Sequence, residues 1–268
     1  MCAHRVPSRY NTRMRILVTN DDGILSPGIE ALVRAVEPLG SVEVVAPETE
    51  QSAIGHAITV KTPMSVNRLH VKNTFHGWGV DGRPADCVKL AVLELLDERP
   101  DFIVSGINLG ANTGINVLYS GTVAGALEAA FFGIPSMAVS LELSDELDFR
   151  LAERITRSIF ERFVAARPRP GTCLNVNIPA LDAGPPRGIR CCAQCTSLMR
   201  EHYGKQTDSR GRSVYWLDGT LDKHAASPDS DLAAIRDGYV AITPLRFQMT
   251  DAARLAELTQ WEWPRSFA

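Results

Sequence analysis

The segment RILVTNDDGILSPGIEALVRAV, residues 15–36, decides the fold of this chain. Its first five residues form an apolar run, which predicts a short buried strand over Arg15–Thr19. Beyond a polar turn, Ser26 and Pro27 precede apolar residues at helical spacing, and Gly40 marks the end of the predicted helix. The fold therefore opens with a strand that leads through a short turn into a helix.

The same alternation of strands and helices continues through the first two-thirds of the chain. Further strands are predicted at 42–47, 101–108, 134–142 and 173–179, and further helices at 84–96, 121–133 and 148–166. Short apolar strands separated by helices predict a mostly parallel sheet that is covered by helices on both faces. We therefore expect a doubly wound α/β fold, whose ligand site lies beyond the carboxyl ends of the strands.

The sequence changes character after about residue 185. GIRCCAQC (188–195) and SVYWLDG (213–219) have the composition of antiparallel strands around the polar loop 201–212, which predicts a protruding β-hairpin. Residues 229–245 predict a helix and a strand that returns to the sheet. The tail 251–264 is predicted to be helical and to dock its tryptophans in a subunit interface.

These patterns divide the chain into three parts. Residues 1–13 are predicted to be a disordered leader, or to precede a true start at Met14. Residues 14–185 are predicted to form the catalytic core. Residues 186–268 are predicted to form the hairpin and an oligomerisation extension, with one strand returning to the core.

Composition and charge limit the function classes. A net charge of -3 with 22% charged residues differs from both a basic nucleic-acid binder and a disordered chain. We find no secretory signal and no apolar run of the ~18 residues that a membrane helix needs. The six cysteines do not resemble a disulfide framework, and Cys191, Cys192 and Cys195 lack the spacing of a zinc site. We expect a cytoplasmic protein without a nucleic-acid polymer or membrane partner.

Two adjacent carboxylates, Asp21 and Asp22, follow the first predicted strand. One of them could simply cap the next helix, but capping uses a single carboxylate. Ser52 and Asn108 are neutral oxygen donors that follow neighbouring predicted strands, although each taken alone would ordinarily form a turn hydrogen bond. Carboxylates with neutral oxygens suit Mg²⁺ or Mn²⁺. We therefore predict one divalent metal ion held by Asp21, Asp22, Ser52 and Asn108.

The segment SGINLGANTGINVLYSGT, residues 105–122, has the features of a phosphate site. Ser120 leads into a helix whose first turn offers free N–H groups and the positive end of the helix dipole. Asn112, Ser120 and Thr122 can donate hydrogen bonds to phosphate oxygens, and Gly121 allows a ligand to approach the backbone. An ordinary N-cap with loop glycines is the alternative, and the P-loop pattern GxxxxGK[ST] is absent. We predict that Asn112, Ser120, Gly121 and Thr122 bind phosphate.

Two further polar residues near these segments have simpler interpretations. His56 follows Ser52 by four residues and could touch a substrate, but a surface or core histidine is the simpler interpretation. Asp86 in GRPADCV (82–88) is interpreted as a charge in the first turn of a helix.

Five motifs occur in order between about residues 15 and 245: ILVTNDDGILSPGIEAL, VVAPETEQSAIGHAIT, VDGRPADCVKLAV, DFIVSGINLGANTGINVLYSGTVAGALEA and DLAAIRDGYVAITPL. Together they resemble the SurE survival-protein family of metal-dependent 5'/3'-nucleotidases. The resemblance implies a Rossmann-like three-layer core, a protruding β-hairpin, and C-terminal exchange between subunits in a homodimer or homotetramer. It also implies the same metal ligands and phosphate-side residues as those predicted above.

The sequence departs from the family pattern at two positions. Arg83 replaces a threonine that many members have before PADC, and Ala53 replaces a glycine that often follows the serine of the second motif. Neither change removes a predicted ligand.

The residues predict the hydrolysis of a phosphomonoester by a metal-activated water. The resemblance implies that the substrates are nucleoside 5'- and 3'-monophosphates and, as in some members, short polyphosphate. Asp21 and Asp22 are the predicted catalytic residues, and one of them takes a proton from the attacking water. A phosphatase of the haloacid-dehalogenase type would need the pattern DxDx[TV], whereas the aspartates here are adjacent. A non-catalytic nucleotide-binding or assembly protein that uses the same crevice is the alternative from another class.

Overall fold

A computed structural model of the chain describes residues 14–71, 74–182, 184–196, 200–220 and 226–264. The predicted leader at 1–13 lies outside these residues. The strands are β1 (Arg15–Thr19), β2 (Ser41–Pro47), β3 (Val66–Val71), β4 (Phe75–Val80), β5 (Phe102–Leu109), β6 (Ser136–Leu141), β7 (Cys173–Ile178), β8 (Ile189–Cys191), β9 (Arg200–Thr207), β10 (Ser213–Thr220) and β11 (Val240–Leu245).

The helices alternate with the strands along the chain. They are α1 (Pro27–Val36), α2 (Pro84–Leu90), α3 (Asn116–Tyr119), α4 (Gly121–Phe131), α5 (Phe149–Ala165), α6 (Asp231–Arg236) and α7 (Ala252–Leu258). The predicted helix at 84–96 continues beyond α2 as a π-helical turn, Ala91–Leu95. Within the described residues, no helix combines the length and the apolar character that crossing a membrane requires.

Nine of the eleven described strands form one sheet in the order β3-β4-β2-β1-β5-β6-β7-β11-β8, and β9 and β10 form a separate two-stranded sheet. Pairing is parallel from β4 through β2, β1, β5 and β6 to β7, and between β11 and β8. The pairs β3–β4 and β7–β11 are antiparallel. The predicted α/β fold with a mostly parallel sheet is therefore confirmed.

Helices cover both faces of the sheet because successive side chains of a buried strand point to opposite faces. In β1, Ile16 and Val18 pack in the cluster that contains residues of α1 and α5, whereas Leu17 packs with residues of α2. Phe160 of α5 meets Phe102 of β5 edge to face, with ring centroids 5.5 Å apart. Burying an aliphatic or aromatic side chain of this size contributes about 1.5–3 kcal/mol, so this double-sided core fixes β1 at the centre of the molecule.

The predicted hairpin is confirmed, but the segment predicted for one of its two strands is wrong. β9 pairs with β10, from Arg200 opposite Thr220 to Thr207 opposite Ser213. The segment 188–195 was predicted to be a hairpin strand, yet it supplies β8, which pairs parallel with β11 at the edge of the main sheet. The actual strand REHYGKQT has almost no apolar residues, because the hairpin is exposed on both faces, and a hydrophobic pattern cannot reveal such a strand.

The antiparallel pair β3–β4 was not predicted. VNRLHV forms the edge of the sheet and is largely exposed, so its pattern lacks the apolar run of a buried strand. The predicted strand that returns to the sheet is β11, and β8 joins it there, so the segment after residue 185 contributes two strands to the main sheet. In the tail, α7 ends at Leu258, and Trp261 and Trp263 follow it with their rings stacked 5.5 Å apart.

Candidate functional site

The carboxyl ends of β1, β2 and β5 meet at one cavity of about 1130 Å³. Asp21 and Asp22 follow β1, the loop that carries Ser52 follows β2, and Asn108 lies near the end of β5. Parallel strands end at the same edge of a sheet, which brings together residues that are far apart in sequence. Six of the eight predicted site residues line the cavity, namely Asp21, Asp22, Ser52, Asn108, Asn112 and Ser120.

Asp21 is buried against the first turn of α4. The residue is only 6% exposed, and the Thr122 hydroxyl donates a hydrogen bond to its Oδ1 atom. A Cβ atom on Gly121 would lie 2.8 Å from the Asp21 Cβ and 3.0 Å from Oδ2, so only glycine leaves room for the carboxylate here. Burial raises the pKa of Asp21, although the Thr122 hydroxyl and the backbone N–H groups of Thr122 and Gly121 lower it in part.

Gly121 and Thr122 are therefore engaged with the aspartate. Both were predicted to contact phosphate, but neither is among the residues that line the cavity. The N–H groups and the positive end of the α4 dipole instead stabilise a carboxylate of the protein itself. The Thr122 side chain is fully buried, so its hydroxyl is directed to this internal partner.

Asp22 lies beside Asp21 and is less deeply buried. Burial raises its pKa to about 6, and repulsion from Asp21 and Glu50 contributes to the increase, while the backbone N–H of Leu109 opposes it. That N–H group belongs to the residue after Asn108, so Asp22 lies directly against the end of β5. The neighbouring carboxylates thus carry charge that the surrounding protein only partly compensates.

Ser52 belongs to a segment that we call the Ser52 loop, residues 48–59. The backbone N–H of Gln51 donates to the backbone oxygen of Asp21 over 2.7 Å, which ties this loop to the end of β1. The Ser52 hydroxyl donates to Oε1 of Glu50. Ser52 is exposed at the cavity wall, where a side-chain rotation can change the partner of its hydroxyl.

Asn108 is positioned by an irregularity in β5. The register between β5 and β6 shifts between Ser105 and Asn108, and such bulges change the direction of a side chain. The amide nitrogen of Asn108 donates to the backbone oxygen of Gly110 over 2.7 Å. Its amide oxygen is consequently the atom suited to a cation.

Asn112 and Ser120 form the buried polar side of the cavity. The backbone N–H of Asn112 donates to Oδ1 of Asn177 over 2.7 Å, and its Nδ2 donates to the Ser140 hydroxyl over 2.8 Å. The Ser120 hydroxyl accepts from the backbone N–H of Val123, which makes Ser120 the N-cap of α4. Each side chain keeps a further donor hydrogen, because an amide NH₂ has two and a hydroxyl that accepts can still donate.

The cavity is strongly acidic. Besides the two aspartates, Glu48, Glu50 and Glu201 line it, whereas its described lining residues include no lysine, arginine or histidine. Such a cavity repels a phosphate group unless a cation is present. The hard oxygen donors of Asp21, Asp22, Ser52 and Asn108 fit Mg²⁺ or Mn²⁺, which accept carboxylate, hydroxyl and amide oxygens.

The sequence did not reveal an ionic network behind the Ser52 loop. His56 Nε2 lies 2.8 Å from Oε2 of Glu128, and Lys89 Nζ lies 2.6 Å from Oε1 of the same residue. Burial raises the pKa of Glu128, but the hydrogen bonds from His56 and Lys89 outweigh this and leave it below its usual value. His56 was interpreted as an ordinary surface or core histidine, because no local pattern links it to a glutamate 72 residues away.

Asp86 is more than the helix charge that was predicted. It accepts from the backbone N–H of Arg83 over 3.0 Å at the start of α2, as a first-turn carboxylate should. It also accepts from the backbone N–H and the hydroxyl of Thr59, over 2.9 Å and 2.8 Å. Asp86 thereby fixes the far end of the Ser52 loop, and Arg83, which differs from the family pattern, adds a contact of 3.2 Å to the Thr59 hydroxyl.

Comparisons with known proteins identify the same family for most of the chain. A model of the family described as survival protein SurE matches residues 16–202. A protein of Heliobacterium modesticaldum named 5'-nucleotidase SurE is 44% identical over 249 residues, which cover 92% of this chain and 92% of the relative. A protein of the same name from Syntrophobacter fumaroxidans is 44% identical over 248 residues, which cover 92% and 99%.

A solved structure supports the assignment. The SurE protein from Aquifex aeolicus superimposes with a TM-score of 0.79 and 36% identity, covering 91% of this chain and 98% of that protein. The family model matches more than half of the chain. The relatives and the solved structure agree with this match. The chain belongs to the SurE survival-protein family.

Proposed function

We propose that this protein is a divalent-metal-dependent nucleotidase that hydrolyses nucleoside 5'- and 3'-monophosphates and short polyphosphate. The observation that carries the proposal is the pair Asp21 and Asp22, partly compensated in charge and grouped with Ser52 and Asn108 at one acidic cavity. The name 5'-nucleotidase that the relatives carry supports the reaction class.

Asp21, Asp22, Ser52 and Asn108 would hold one Mg²⁺ or Mn²⁺ ion. Such an ion would polarise a phosphoryl oxygen and lower the pKa of a bound water. The residues of the chain then fix the geometry. Thr122 and Gly121 hold the Asp21 carboxylate in one orientation, and the Leu109 N–H holds Asp22.

Asn112 and Ser120 are the residues that we assign to the phosphate. Both residues line the cavity, and each is anchored by one hydrogen bond, from Asn112 Nδ2 to Ser140 and from the Val123 N–H to the Ser120 hydroxyl, which leaves one donor hydrogen on each side chain. Donors that are held in place before the reaction stabilise the charge that develops on the phosphoryl oxygens at little reorganisation cost. Gly121 and Thr122 contribute indirectly, through the position of Asp21.

Asp22 is the carboxylate that we assign to accept a proton from the attacking water. Oδ1 of Asp21 is engaged with the Thr122 hydroxyl, whereas Asp22 is the less deeply buried of the two. A general base must come within hydrogen-bond reach of the proton that it takes, and the more accessible carboxylate meets this condition more readily.

We further propose that the protein is cytoplasmic and self-associates as a homodimer or homotetramer. Leu255 and Leu258 of α7 and the stacked Trp261 and Trp263 are all exposed. Exposed apolar side chains grouped in one segment commonly mark a protein interface. A nucleic-acid polymer and a membrane are not among the proposed partners.

Phosphate release from adenosine 5'- and 3'-monophosphate tests the proposal. We expect turnover with Mn²⁺ or Mg²⁺ and none in excess EDTA. Asp21→Asn should lose turnover while keeping the circular dichroism spectrum of the wild type. If the wild type binds these nucleotides but releases no phosphate from them or from polyphosphate with any divalent ion, the protein is a binding or assembly protein instead.

A further inference from the structure

One face of the β9–β10 hairpin completes the cavity. Tyr203 and Leu217 are directly opposite each other in the register of the two strands, and both line the cavity together with Glu201. Side chains alternate along a strand, so Glu201 and Tyr203 share a face, while Trp216 lies on the opposite face. The alternation agrees with the lining of the cavity, which includes the first two residues and excludes Trp216.

The lining of the cavity differs between its buried floor and its exposed mouth: the floor is polar, whereas the mouth carries apolar side chains beside the carboxylates of Glu50 and Glu201. Its floor contains the buried polar side chains of Asp21, Asn112 and Ser120. At the mouth, Tyr203 is 67% exposed and Leu217 is 59% exposed, although both are large and apolar. Tyr119, at the end of α3, is also exposed and lines the cavity.

This gradient fits a ligand with an anionic group at one end and a flat apolar group at the other. A nucleoside monophosphate has this form, because its phosphate and its base are separated by a ribose. Aromatic side chains bind bases through stacking, and an aliphatic neighbour widens the apolar surface. A phosphomonoester without a base would leave Tyr203 and Leu217 in water.

We propose that Tyr203 and Leu217 bind the base of the substrate and thereby make the protein prefer nucleoside monophosphates to other phosphomonoesters. This inference rests on the proposed function, since it places the phosphate at the cavity floor. The phosphate-side residues are shared by all substrates, whereas the hairpin face contributes only when a base is present. Tyr203 and Leu217 therefore determine specificity and take no part in the chemical step.

The test compares two substrates, adenosine 5'-monophosphate and β-glycerol phosphate, which has no base. For Tyr203→Ala we expect kcat/KM for the nucleotide to fall about tenfold through a higher KM. The reason is that the base can no longer stack on an aromatic ring at this position. The value for β-glycerol phosphate should remain that of the wild type. Leu217→Ala should have a smaller effect of the same kind, and Tyr203→Phe should retain the preference.

Trp216→Ala is the matched control, because Trp216 is an exposed aromatic residue of the same hairpin on its other face. It should leave both substrates unaffected. Equal losses on both substrates in Tyr203→Ala, or no loss on either, would overturn the proposal. If the wild type hydrolyses neither substrate, the proposed function fails, and calorimetric binding of the nucleotide then decides this inference alone. Equal nucleotide affinity of Tyr203→Ala and the wild type would in that case overturn it.

Discussion

His56 Nε2 lies 2.8 Å from Oε2 of Glu128, and this contact joins the Ser52 loop to the helix that begins against Asp21. Lys89 of α2 binds the other oxygen of Glu128 over 2.6 Å. One buried carboxylate therefore links the Ser52 loop, which carries a proposed metal ligand, to α4, whose first turn contacts another, Asp21. Residues of this kind do not bind the metal themselves, but they hold the ligating side chains in position.

His56→Ala should weaken metal binding without changing the ligand set. Losing the contact to Glu128 removes one of the bonds that hold the Ser52 loop, and the loss of an outer partner typically costs about tenfold or more in metal affinity. Mn²⁺-dependent turnover should therefore require about tenfold more metal, with kcat largely recovered at saturation. His76→Ala, at an exposed position of β4, is the control. An unchanged metal requirement in a folded His56→Ala protein would exclude the proposed link.

Thr122→Val should destabilise the protein and weaken metal binding together. The substitution keeps the side-chain volume but removes the hydroxyl that donates to the buried Asp21 carboxylate, which costs about 1–3 kcal/mol when a buried acceptor loses its partner. The pKa of Asp21 should rise further, so the metal competes less well with protons. Urea unfolding and Mn²⁺ titration measure the two effects, and Thr122→Ser, which retains the hydroxyl, should show little of either.

Gly121→Ala should displace the Asp21 carboxylate. The new methyl group would lie 2.8 Å from the Asp21 Cβ, a distance that folded proteins do not tolerate, so the aspartate or the helix must move. We expect Mn²⁺-dependent phosphate release to fall by at least about tenfold, as happens when a reacting geometry shifts by a fraction of an ångström. Gly125→Ala in the same helix contacts Ser105 and Thr19 and no proposed ligand, and it should retain activity. Equal activity of the two variants would contradict the placement of Asp21.

The affinity of the protein for Mn²⁺ should fall as the pH is lowered. Burial and the neighbouring Asp21 raise the pKa of Asp22 to about 6, so below that value a proton competes with the metal. Apparent Mn²⁺ affinity should therefore fall about tenfold or more for each pH unit below about 6. Isothermal titration calorimetry at several pH values measures the slope. An affinity that is independent of pH across this range would argue against carboxylate ligation.

The stability of the metal-free protein should instead fall as the pH rises. The folded-state pKa of Asp22 lies above its unfolded value, so the native state binds the extra proton, and stability falls as pH rises from about 4 to about 6. Asp22→Asn removes this titration, and Asp21, whose pKa is also raised, retains an effect of the same sign. Thermal unfolding in EDTA should therefore show a weaker pH dependence for Asp22→Asn than for the wild type.

Much of the fold follows from local signals. The apolar run of β1 and the spacing of α1 specify a strand and a helix, and the rule for parallel sheets then places Asp21, Asp22 and Asn108 at one edge. The polar strand β9 and the edge strand β3 could not be found in this way, because exposure leaves them without a hydrophobic pattern. Their positions depend on partners elsewhere in the chain.

The finer design of the site depends on contacts between distant residues. Nothing in the sequence near Thr122 indicates that its hydroxyl is used by Asp21, 101 residues away. The same holds for His56 and Glu128, which are joined only when the Ser52 loop packs on α4. A sequence pattern identifies which residues can take part in phosphate and metal chemistry, and packing decides which of them hold the others in place.

Crystals grown with Mn²⁺ and measured at the manganese absorption edge test the metal site most directly. We expect one anomalous density peak between the Asp21 and Asp22 carboxylates, contacted by the Asn108 amide oxygen and by a Ser52 hydroxyl that has turned away from Glu50. A cavity without such a peak at saturating Mn²⁺, or a peak bound by none of these four side chains, would contradict the metal-dependent mechanism.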